Sequence, residues 1–180
     1  MVQCDAGSGS QMIDVACDCH LLVEDATVET SQYGTSIKAK FLVIGSTDPQ
    51  QVGKSVTEFF SCGGKAVDKL YNLAEAVGMI TGKQRKAAAE GGVGLEIDET
   101  LFKGRQLCGR IELESKMVQD ANGKYIPDPA SSTAYPRLGF RTFAVDSAKA
   151  KDIPKDQQQQ TTQQQPPVVA APAEDLDMNF

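Results

Sequence analysis

The sequence has no tryptophan and only one histidine, His20. A lone imidazole excludes a His-rich metal centre and leaves one candidate for a histidine base. Basic residues are missing from both ends. Residues 1–30 hold six acids (Asp5, Asp14, Asp18, Glu24, Asp25, Glu29) and no Lys or Arg. Residues 156–180 hold four acids (Asp156, Glu174, Asp175, Asp177) and again no base. No apolar run reaches the roughly 18 residues of a membrane-spanning helix, so no membrane partner is expected. The opening MVQCDAGSGSQ lacks a basic stretch and an apolar core. No export signal is therefore expected, and a reducing cytoplasm is the expected location. Five cysteines are an odd number, in a chain long enough to fold on an apolar core, which argues against a disulfide framework.

What is present lies in the middle. Residues 31–155 carry all 18 basic residues against 14 acids, an excess of +4 inside a chain whose net charge is −6. A basic centre between acidic ends points to a nucleic-acid binder with an acidic tail.

Periodicity organises this centre. From Met12 to His20, apolar Ile13, Val15, Cys17 and Cys19 alternate with the residues between them, a strand pattern. TSIKAKFLVIG predicts a second strand, with Lys38 and Lys40 on one face and Ile37, Ala39, Phe41 and Val43 on the other. STDPQQVG reads as a turn and KSVTEFFS as a third strand. The period then changes. Ala66, Leu70, Leu73 and Val77 step by 4, 3 and 4 residues, one face of an α-helix. KQRKAAAE predicts a shorter helix that Gly91-Gly92 ends, and IDETLFKG a helical turn. Strand patterns return at QLCGRIELESKMV, at the Asn122-Gly123 hairpin and at RLGFRTFAV.

A mainly β chain with a helix inserted after the third strand predicts a small barrel of the oligonucleotide/oligosaccharide-binding type over residues 1–155. A β-sandwich with a helical insertion fits the same pattern. Residues 156–173 are Gln- and Pro-rich and read as a disordered linker, because such tracts bury too little apolar area to offset the entropy of ordering. Residues 174–180 form a separate acidic tip. About 17 flexible residues would hold it roughly 20–25 Å from the barrel.

Catalysis finds little support. Cys17-x-Cys19-His20 suggests a metal, yet the cysteines share one strand face while His20 takes the other, and no second Cys/His pair accompanies them. VGKS at 52–55 lacks the upstream glycine of a phosphate loop. No enzyme activity, cofactor or metal is expected.

Binding to single-stranded nucleic acid is better supported. It requires cations to follow phosphates and aromatic faces to stack on bases. Lys38, Lys40, Lys54, Arg110, Arg137 and Arg141 are the candidate cations, because strands hold them rigidly. Tyr33, Phe60 and Phe143 are the candidate stacking rings; Arg137, Arg141 and Phe143 share a face, as do Lys54 and Phe60. Most other aromatics are expected to fill the core.

Two stretches, YGTSIKAKFLVIG and GKSVTEFFSCGGKAVDKLYNLAEAVGMI, together with the terminal EDLDMNF, resemble a phage family of single-stranded DNA-binding proteins. The body resemblance spans roughly residues 30–115. It implies a protein that coats single-stranded DNA during replication, recombination or repair. It also implies that the tip, through Glu174, Asp175, Asp177 and Phe180, docks on a polymerase, helicase, primase or recombinase in the bacterial or phage-infected host cytoplasm. A homo-oligomer is compatible with this reading. A strand-annealing mediator, or an adaptor whose tip enters a clamp without DNA binding, fits fewer of these features.

Overall fold

The computed structural model describes residues 12–131 and 133–156. The expected linker and tip, with Glu174, Asp175, Asp177 and Phe180, lie outside the described residues.

Among the described residues, seven strands and two helices occur in the order that the sequence pattern predicts. β1 (Cys17–Ser31), β2 (Gly34–Ser46) and β3 (Ser55–Ser61) come first. The helices α1 (Val67–Ala76) and α2 (Gly82–Gly91) follow. Then come β4 (Gln106–Ser115), β5 (Met117–Gln119), β6 (Tyr125–Pro127) and β7 (Ala134–Phe143). The fold is mainly β with inserted helices, as expected. The first strand differs from the pattern, because it starts at Cys17 rather than Met12 and runs on to Ser31. Residues 12–16 instead lie beside the start of β3, with one bridge from Met12 to Ser55.

Five strands make one antiparallel sheet in the order β3-β2-β1-β4-β7, and β5 with β6 forms a separate hairpin. The inner face is the expected one: Ile37, Ala39, Phe41 and Val43 of β2 are all buried. Phe41 meets Phe60 edge-on, with ring centroids 6.2 Å apart. α1 buries Leu70 and Leu73 against this core, as its 4-3-4 spacing predicts. Each such side chain contributes about 1.5–3 kcal/mol. α2 is different. It is well capped, because the Thr81 hydroxyl accepts from Gln84 N while the Gln84 side chain accepts from Thr81 N. Gly92 then ends it in the left-handed region at φ 65°. Yet none of its residues is buried.

The two edge strands, β3 and β7, share no backbone ladder. A buried carboxylate and α1 span the gap instead. Glu58 on β3 is 0% exposed. Its Oε2 accepts from Leu138 N of β7 at 3.0 Å, its Oε1 lies 3.0 Å from Arg137 Nη2, and Lys69 of α1 approaches Oε2 at 3.3 Å. One ionised acid thus ties three elements, with charged and neutral donors sharing its two oxygens.

After β7 the chain doubles back as a strap. Ser147 caps a 3-10 turn at Ala148–Ala150. The Lys155 ammonium donates to the carbonyls of Ala150 and Ile153 and to Cys108 Sγ. The backbone N–H of Asp156 donates to His20 Nδ1 at 3.1 Å, so His20 carries its proton on Nε2 and donates to Gln106 Oε1 at 2.9 Å. Gly45 makes the approach possible: a Cβ there would stand 2.1 Å from Pro154 O.

Candidate functional site

β1, the most acidic strand, lies in the middle of the sheet. Its acids therefore meet the cations of its neighbours. Lys40 pairs with Glu24 at 2.8 Å and Lys38 with Glu29 at 3.0 Å. Arg110 on β4 donates to Asp18 at 3.3 Å. Just before β3, Lys54 reaches Asp14 at 2.9 Å and Gln51 Oε1 at 3.0 Å. The hydrogen bond from Lys54 holds the Asp14 carboxyl below its usual range. The acidic N-terminal region is thus not an end opposed to a basic centre. It neutralises four of the six cations named from sequence. Over the described residues all 18 basic side chains face 20 acids, since only Asp5, Glu174, Asp175 and Asp177 lie elsewhere.

Two further assignments change with the geometry. Phe60 is 1% exposed and packs on Phe41, so it is a core ring and has no free face for a base. It does share a face with Lys54, but that face is the interior one, and the Lys54 side chain is only 11% exposed. Arg137 is committed to Glu58 and lies 3.9 Å from Glu114. The exposed ring of the pair is Phe59, and Lys38 Nζ already sits 5.7 Å from its centroid.

Tyr33 is 91% exposed at the β1–β2 turn. It stands at the opposite end of β1 from Asp18 and its partner Arg110. The strand between Asp18 and Ser31 spans on the order of 40 Å at about 3.3 Å per residue.

Arg141 and Phe143 remain, and the structure brings them together with Arg110 in a cleft of about 480 Å³ between β4, β7 and the strap. A bulge builds it. Gly109 pairs with Thr142 and Ile111 with Leu138, so Gly139, Phe140 and Arg141 stand opposite Arg110 alone. Strict alternation is lost there. Phe140 turns outward to 55% exposure, and Arg141 is exposed beside it. Gly139 suits this turn of the chain, because a Cβ there would sit tightly, 3.1 Å from Arg110 O. Phe143 is half-buried against Cys108, Ala150 and Ile153, with Lys149 Nζ 5.4 Å from its ring centroid. A second open cleft of about 730 Å³ lies between the bulge and α1 and shares Phe140, Arg141, Phe143 and Lys149.

Arg141 and Lys149 make no ion pair among the described residues, unlike the cations of β2. Glu112 and Asp152 line the first cleft with them. The lining combines one free aromatic face, two unpaired cations and carboxylates that accept from amino groups. It contains no His or Cys. Such a surface suits a planar ring attached to an anion. Sequence reasoning missed Phe140 and Lys149. The glycine in RLGFRTF was the available signal for a bulge. Lys149 had none, because it depends on where the strap lies.

His20 is fully buried beneath the strap and both ring nitrogens are occupied. Cys17 and Cys19 face the core with sulfurs 3.3 Å apart. Burial pushes the Cys19 thiol up to about 12. No grouping of three or more His, Cys, Asp or Glu suited to a metal occurs among the described residues. Nor is any helix among them long and apolar enough to cross a membrane.

No protein-family model matches the chain, and no curated protein matches it at a significant level.

Proposed function

We propose that this chain binds single-stranded DNA without sequence preference, as the resemblance to the phage family implies. The observation that supports it most is the β7 bulge, which sets the open ring of Phe140 beside the unpaired guanidinium of Arg141. Ring and cation are the two components of a sequence-tolerant single-strand site. Phe143 and Lys149 continue the surface, and Arg110 joins it when a phosphate displaces Asp18. In this reading the protein coats exposed strands in the bacterial or phage-infected host cytoplasm during replication or recombination. Residues 174–180 then recruit a replication or recombination protein, with Phe180 as apolar anchor and Glu174, Asp175 and Asp177 meeting its cations.

The test is a titration of fluorescent oligo-dT and of a duplex of equal length over a range of salt. Each phosphate contact on a single strand lowers the log–log salt slope by about 0.7, so two or three cations give a slope of roughly −1.4 to −2. Binding to the single strand alone with that slope supports the proposal. Equal affinity for duplex, or no binding to either, overturns it.

A further inference from the structure

We infer that Asn72 on α1 is a positioning residue that locks the β7 bulge into its presenting geometry. The inference rests on reading the bulge as the single-strand surface. A bulge leaves backbone groups without ladder partners, and such groups need another acceptor or donor. Asn72 Nδ2 supplies one, donating to the Phe140 carbonyl at 3.1 Å. On its other side Asn72 Oδ1 accepts from Arg85 Nη1 at 2.6 Å. The orientation of the amide is forced, since a guanidinium only donates and a carbonyl only accepts. Arg85 is itself fixed. Its Nη2 lies 2.8 Å from Asp68 Oδ1, Glu75 stands 3.6 Å from Nη1, and the Tyr71 ring lies 5.9 Å away.

The relay Arg85–Asn72–Phe140 also accounts for α2. That helix buries no residue, yet it is capped at both ends and delivers Arg85 to α1. Its place in the fold follows from holding the amide that holds the bulge. Without Asn72 the three bulge residues face a single residue of β4, Phe140 loses its fixed outward setting, and the ring swings over the cleft mouth.

Two measurements test this. The chain has no tryptophan, so Phe140→Trp places one fluorophore on the bulge, read without any nucleic acid. In that background Asn72→Asp keeps an acceptor for Arg85 and loses the donor to the carbonyl. Lower Trp anisotropy and stronger acrylamide quenching, with an unchanged melting temperature, support the brace; an unchanged Trp signal overturns it. In the otherwise native chain, Asn72→Asp weakens oligo-dT binding about 5–10-fold, the worth of roughly one hydrogen bond. Coupled to Phe140→Ala, it adds little further loss. Full additivity of the two substitutions overturns the proposal. A mobilised Trp together with no oligo-dT binding by the native chain leaves the brace standing and overturns the single-strand reading instead.

Discussion

The β1–β2–β3 half and the β7 bulge carry the same residue types and use them in opposite ways. In the first half Lys38, Lys40 and Lys54 each have a carboxylate within 3.0 Å, and Phe60 is sealed in the core. At the bulge Arg141 and Lys149 have no carboxylate partner among the described residues, and Phe140 is open to solvent. The difference teaches that segment charge is not the field a ligand meets. Strand order decides it. Placing acidic β1 between β2 and β4 removes the excess that residues 31–155 have on paper. Cross-strand pairing then converts prospective phosphate contacts into sheet stabilisation, each worth about 0.2–1 kcal/mol.

The largest effect separates structure from binding inside the first half. Glu58→Ala leaves Arg137 and Lys69 without their shared counter-charge and Leu138 N without an acceptor. Breaking a buried ionic network of this kind costs about 3–5 kcal/mol. Thermal melts are expected to fall by roughly 10 °C, at about 2–4 °C per kcal/mol for a domain of this size. Glu58→Gln keeps one acceptor oxygen, replaces the other with an NH2 donor and removes the charge, and should fall less. Oligonucleotide affinity at low temperature should persist in both. A loss of affinity without a loss of stability would place Glu58 on the ligand surface and break the comparison.

At the bulge the expected effect is on affinity. Phe140→Ala removes a stacking face and is expected to weaken oligo-dT binding by about 1–2 kcal/mol, roughly 5–30-fold. Arg141→Ala should cost a similar amount at low salt and flatten the salt slope by about 0.7. Melting temperatures should barely move, since both side chains are exposed. If Phe140→Ala melts low and binds normally, the ring is packing and not a platform.

Much of the fold could be read in the sequence because burial imposes periodicity. Ile37 to Val43 and Leu70 to Val77 show it directly, and Gly91-Gly92 stops α2 as expected. The site was far less legible, for two physical reasons. Parity tells which residues share a face and not which face is inside; Lys54 and Phe60 share the interior one. Parity also fails at a bulge, so Phe140 points where alternation forbids. The strap adds a third difficulty. Lys149 and Asp152 reach the cleft only because Gly45 admits Pro154 and His20 receives Asp156 N, contacts between residues more than a hundred positions apart.

That strap yields a pH prediction. Burial lowers the pKa of His20 below the 6.5 of a free imidazole, and nearby Lys155 lowers it further, while the bond to Gln106 and the charge of Asp156 oppose. The folded state therefore binds fewer protons than the unfolded one. Its stability is complete above pH 6.5 and falls as the pH drops from there toward the lowered folded value, by up to about 1.4 kcal/mol per pH unit. Melts of the native chain from pH 7.5 to 5.5 should show this loss. His20→Gln should flatten the His-dependent part of the slope. An equal slope in both would mean that carboxylates alone set it.

The smallest expected effect is the most discriminating. Lys38→Ala with Lys40→Ala removes two of the strand cations nominated by charge pattern. Both are about half exposed and both are paired, so the sheet should lose no more than about 1 kcal/mol. Their phosphate affinity is already answered by Glu29 and Glu24. The double variant should therefore bind oligo-dT within about 2-fold of the native chain, on the small scale of exposed, screened ion pairs. The salt slope should stay unchanged. A loss as large as that of Arg141→Ala, with a shallower slope, would route the strand over the β1–β2 face. The pairing with β1 would then be a resting arrangement that phosphates displace, and the contrast between the two halves would hold only for the unbound protein.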